Sequence, residues 1–133
     1  MKIDIPISCG ELIDKLTILE IKLKNVKDDN KKKHIKNEYD HLSNISKKLQ
    51  EVDLEQYKNF YTKLMEINQL LWKIEDDIRE QESKNMFQEK FVELARAVYT
   101  TNDQRFAVKN EINIFYDSDI QEQKELISYD QKT

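Results

Sequence analysis

An all-α fold, an antiparallel bundle of four to five helices behind a short extended N-terminal segment, is predicted by three observations. The 133 residues contain one Gly and one Pro, so almost nothing interrupts a helix, and the turn-rich all-β folds are excluded. Apolar residues recur at alternating intervals of four and three through most of the chain, which places them on one face of successive helices. Acceptor side chains stand just ahead of two of these periodic runs, where helix N-caps are needed.

The elements follow in order. Lys2 to Ile7 alternates Ile3, Ile5 and Ile7 with Asp4 and Pro6, an extended pattern. Ser8-Cys-Gly-Glu11 reads as a capping box, in which the Ser8 hydroxyl accepts from the third helical residue and Glu11 reaches back. Leu12, Leu16, Leu19, Leu23 and Val26 then form the stripe of a first helix ending near Lys27. The stretch 27–33 has no apolar residue, so it is either a connection or a weak helical extension. Helix two carries Ile35, Tyr39, Leu42, Ile45 and Leu49. Asp53 to Gln56 provides the next cap, and Phe60, Leu64, Ile67, Leu71, Ile74 and Ile78 keep the longest unbroken period of the chain. A second row on this helix, Tyr61, Met65 and Trp72, widens its apolar surface, and so wide a face needs partners on two sides. Helix four carries Met86, Phe87, Phe91, Leu94 and Val98. Thr100 to Asp103 is expected to break it and to cap helix five, with Phe106, Ala107, Val108, Ile112 and Ile114. Beyond Tyr116 the chain turns polar, with Ile120, Leu126 and Ile127 offering at most one short docking helix, and the last few residues are expected to fray. One domain spanning 1–133, weakly ordered from about 117, accounts for the whole pattern.

Composition narrows function by exclusion. One cysteine, Cys9, forms no internal disulfide, and with only His34 and His41 beside it there is no Cys/His zinc set. One glycine excludes a Gly-rich phosphate loop and a dinucleotide fingerprint. The net charge of −4 and a pI of about 5.3 disfavour nucleic acid as a partner, and the lysine-rich stretch 22–36 lacks interleaved aromatic rings for base stacking. No apolar run reaches the roughly 18 residues of a membrane span, and the N-terminus lacks the apolar core of a signal peptide, so the cytoplasm is the expected compartment.

Three clusters remain as candidates. Glu75, Asp77 and Glu80, with Asp76 and Glu82, present carboxylates at helical spacing, and such oxygens can gather a Mg²⁺ ion. The alternative is a solvated face in which Lys73 and Arg79 serve as helical pair partners. Arg96 and Arg105, two of the three arginines in a lysine-rich chain, lie with all three alanines between Leu94 and Lys109. Arg79, Arg96, Arg105 and Lys109 together form a candidate anion-binding set, helped by the expected helix start near Thr101. Against it stands a structural role, with Arg96 and Arg105 paired to nearby carboxylates. Helix one adds Glu11, Asp14, Lys15, Glu20 and Lys22, most simply surface charge.

The strings Gly10 to Lys22, Leu71 to Glu80 and Glu93 to Asn113 resemble a small uncharacterised family of bacterial and phage proteins, a domain of unknown function. The resemblance covers nearly the full chain and implies a helical domain with no established activity. It also marks three segments, Glu11 to Lys22, Glu75 to Glu82 and Arg96 to Glu111, whose meeting would line a polar seam inside an apolar bundle. The seam would be a ligand pocket or a satisfied ion network. The reading that follows is a non-enzymatic helical module, homodimeric or bound to another protein, needing no cofactor. Its rival is a small Mg²⁺-dependent enzyme or binder for an anionic, phosphorylated ligand.

Overall fold

A computed structural model of the protein describes residues 1–129, so the fraying expected of the last residues falls outside the described part. It contains four helices, α1 (Cys9–Asn25), α2 (Asp29–Val52), α3 (Leu54–Ser83) and α4 (Glu89–Phe115), and no strand among the described residues. The joints are short; α3 packs on α4 and α1, and α1 also on α2, whereas α2 and α3 touch each other little. A hydrophobic core of Ile13, Tyr57, Phe60, Leu64 and Ile112 ties α1, α3 and α4 together. The second row of α3, Tyr61, Met65 and Trp72, is half-buried, as the width of its face requires.

The capping signals act largely as read. Ser8 Oγ accepts from the Glu11 amide at 3.1 Å and Asp53 Oδ1 from the Gln56 amide at 3.0 Å. Asp53 alone separates α2 from α3. The lysine-rich stretch resolves as a helical extension. Asp28 caps α2 through the Lys31 amide at 3.0 Å, and the first turns of α2 stand in solvent, held by backbone bonding and good helix formers.

Two expectations are corrected. The helix begins at Glu89, so Met86 and Phe87 lie in the preceding joint and are exposed. More importantly, Thr100 to Asp103 does not break the chain, and the fourth and fifth helices are one. The Thr100 hydroxyl donates back to the carbonyls of Arg96 and Ala97 at 3.1 and 3.3 Å. It is thereby satisfied inside the helix instead of capping a new one. Thr101 is buried, and its packing holds the segment helical against its modest propensity. The anion seat expected at a helix start near Thr101 is therefore absent.

Both long helices end in left-handed residues that are not glycine, Asn85 (φ 54°) and Asp117 (φ 50°). At each, two amides fold back onto carbonyls of the last turn: Asn85 to Glu82 and Met86 to Gln81, then Asp117 to Ile114 and Ser118 to Asn113. Asn and Asp tolerate this conformation better than other side chains, and a chain with its one glycine elsewhere uses them. The described tail forms no helix. It runs back along α4, with Glu122 paired to Lys109, the Lys124 ammonium over the Phe106 ring, and Tyr129 donating to Asp103 Oδ2.

Tyr116 sits against the core with its hydroxyl buried and unbonded. Burial pushes its pKa up to about 12. Its folded pKa thus exceeds the unfolded value near 10, so the stability it contributes is present below pH 10 and lost as the pH rises towards 12. Tyr116→Phe is expected to be neutral or stabilising by up to about 1 kcal/mol at pH 8 and to flatten the fall in Tm above pH 10. A clear loss of Tm at pH 8 would show that the hydroxyl is bonded after all.

Candidate functional site

The polar residues of α1, α3 and α4 converge on one seam. Asp14, fully buried, receives Arg105 in the forked geometry that only arginine offers, Nε to Oδ1 at 2.9 Å and Nη2 to Oδ2 at 2.5 Å. Asn68 Nδ2 donates to the same Oδ1 at 2.9 Å and to Thr17 Oγ1 at 2.8 Å, while the Thr17 hydroxyl donates to the Asp14 carbonyl at 2.7 Å. Bonding to Asp14 holds the guanidinium above the usual arginine range despite partial burial. A buried carboxylate survives without water only when so many donors surround it.

Below it, Lys109 is buried between Glu11 and Glu122, 3.0 Å from each. Burial pulls its pKa down, but hydrogen bonds to Glu122 and Glu11 outweigh this and leave it raised. Glu11 therefore serves α4, and the reciprocal half of the expected capping box is replaced by this long-range pair.

The start of α1 is sealed by the end of α4. The Cys9 amide donates to Ser118 Oγ at 3.1 Å and the Gly10 amide to Asn113 Oδ1 at 2.7 Å, while Ser8 takes the Glu11 amide. These are the orphan donors that otherwise make a helix start an anion site. Gly10 is the contact point, since a Cβ there would lie 2.5 Å from the Lys109 carbonyl oxygen.

Of the sequence-predicted anion set, Arg105 and Lys109 belong to this seam, each neutralised by a carboxylate. Arg79 is exposed and pairs along its helix with Glu75 at 3.5 Å, and Arg96 is exposed on α4, apart from the others. Of the carboxylates assigned to a metal, Glu75 pairs with Arg79, Asp77 with Lys73 at 3.1 Å and Glu80 with Lys84 at 2.9 Å. No group of three metal-ligating side chains gathers among the described residues. Sequence reasoning missed Asn68, Thr17, Asn113 and Ser118. The available signal was Asn68 itself, a polar residue between Leu64 and Leu71 on the buried face of α3.

Two concavities flank the seam. One, of about 400 Å³, lies between α1, α3 and α4 and is lined by Trp72, Asn68, Asn102 and Arg105. The other, about 730 Å³ and largely apolar, lies between the N-terminal segment, α1 and α2.

The model of a family of unknown function, DUF6165, matches residues 1–130, and the chain belongs to that family. No curated protein and no solved structure matches it.

Proposed function

We propose that this family member is a helical interaction module, non-enzymatic, that pairs with a second copy of itself through the groove between its N-terminal segment and α2. The observation that carries the reading is where apolar surface remains uncovered. Ile3 and Ile5 are 76% and 71% exposed, and Ile45, across the groove on α2, is 49% exposed. Helix α2 covers its apolar stripe only in part within its own chain: Ile35, Tyr39, Leu42 and Leu49 are half-buried and Ile45 stands exposed. Clustered apolar surface of this kind marks interfaces.

A second copy suits the segment by charge as well. Lys2 and Asp4 pair with each other within the chain at 3.7 Å, both largely exposed, and two such segments running antiparallel about Ile3 would exchange that pair, Lys2 of each against Asp4 of the other. Two-fold pairing then needs one self-complementary patch. The seam supports the non-enzymatic part of the reading, because its cations and carboxylates already neutralise each other. The cytoplasm is the compartment assumed, where a free thiol such as Cys9 persists.

Light scattering on the pure protein at about 100 μM is expected to give twice the monomer mass, and Ile3→Lys with Ile45→Lys to give a monomer with an unchanged helical circular dichroism spectrum. A wild-type monomer, or a dimer indifferent to both substitutions, overturns the reading.

A further inference from the structure

We infer that the cleft between α1, α3 and α4 is a binding site for a small neutral ring bearing both an N–H and a C=O, a pyrimidine such as uracil. The inference starts from the orientation of Asn68, which chemistry fixes. Its Nδ2 faces Asp14 Oδ1, and a carboxylate only accepts. The second hydrogen goes to Thr17 Oγ1, whose own hydrogen is committed to the Asp14 carbonyl. The amide oxygen must therefore point the other way, towards the cleft that Asn68 lines, and no hydrogen bond reaches it among the described residues. Asn68 is 5% exposed, so this is a nearly buried acceptor in the wall of an open cleft and not a surface amide.

Arg105 supplies the complementary group. Asp14 takes Nε and one hydrogen of Nη2, and Asn102 takes a long bond from Nη1 at 3.4 Å. The guanidinium has five N–H donors, so its outer edge keeps two, and Arg105 lines the same cleft. Asn68 Nδ2 and Arg105 Nε meet on Asp14 Oδ1 at 2.9 Å each, and both residues line the one cleft, so the free acceptor of Asn68 and the free Nη hydrogens of Arg105 serve the same space. A ring that carries both an N–H and a C=O satisfies them together.

The remaining walls select the rest of the ligand. Trp72 with Ile18 and Ile21 offers a flat apolar surface for a ring. The charges disfavour an anion: Arg105 is balanced by Asp14 and Arg79 by Glu75, which leaves the carboxylate of Asp76 unopposed at the rim. A volume of about 400 Å³ holds one small ring, with or without a sugar.

Trp72 is the single tryptophan, so its fluorescence reports the cleft in the unmodified protein. Titration with uracil or uridine is expected to give saturable quenching, and whichever of the two binds more tightly identifies the source of the ring. The analogue 1,3-dimethyluracil keeps the carbonyls but lacks the N–H, and it should bind at least about tenfold more weakly, as a site built on a hydrogen bond requires. Calorimetry with Trp72→Ala, its folding checked by circular dichroism, should show binding weakened at least about tenfold by loss of the stacking surface. Absence of saturation, equal affinity for the dimethyl analogue, an unweakened Trp72→Ala, or tighter binding of inorganic phosphate than of uracil would each overturn the proposal.

Discussion

Asp14→Ala is expected to destabilise the protein by about 3–5 kcal/mol, the range found when one partner of a buried ion pair is removed. The loss does not come from the attraction alone. Arg105 would keep its charge beside a cavity with only the long bond to Asn102, and Asn68 would retain only its bond to Thr17. The double variant Asp14→Leu with Arg105→Met separates these contributions. It removes both charges together, and replacing a buried pair with apolar groups of similar size is often nearly neutral. Urea unfolding should therefore show a deep loss for the single variant and recovery of most of it in the double. A single-variant loss below about 1 kcal/mol would mean that Arg105 escapes to solvent and that the seam does not hold the helices together.

Gly10→Ala is expected to cost about 1–3 kcal/mol or more, the usual range for overpacking. This reverses the ordinary sign, because alanine in place of a helical glycine normally adds about 1 kcal/mol of stability. The new Cβ would stand 2.5 Å from the Lys109 carbonyl oxygen and 3.0 Å from both Lys109 Cα and Asn113 Oδ1. The Lys109 backbone lies within α4 and cannot yield locally, so α1 and α4 must separate. Separation lengthens the caps from Asn113 and Ser118 to the start of α1 and loosens Lys109 between its two carboxylates. Urea unfolding of this variant checks the sign directly, and a stabilised Gly10→Ala would refute the close packing of these two helices.

The two substitutions probe the same seam from opposite ends, and they differ in how legible their targets were. Gly10 stood out as the one glycine of the chain, at a helix start where a cap was already read. Its role as the point where two backbones meet was not readable, since nothing in the local pattern shows which helix arrives there. By sequence Asp14 is surface charge, because charged residues spaced along a helix usually face solvent. Its burial follows from Arg105, 91 positions away.

Helix identity, the stripes of α1 and α3 and the caps at Ser8 and Asp53 were determined by the sequence itself, because each rests on contacts within a few residues. Two of the three segments expected to line a polar seam, Glu11 to Lys22 and Arg96 to Glu111, supply it, whereas the carboxylates of Glu75 to Glu82 pair along their own helix and α3 enters the seam through Asn68. The tertiary structure alone decided that Thr100 to Asp103 stays helical. A threonine hydroxyl can cap a new helix or bond back into the old one, and the burial of Thr101 selects the second. It alone decided, too, which cations are occupied: Arg105 and Lys109 looked available in sequence, whereas three packed helices bring Asp14, Glu11 and the returning Glu122 to them. Periodicity reports which face of a helix is apolar. Only packing determines which buried charge meets which partner, because that depends on distances between residues the chain holds far apart.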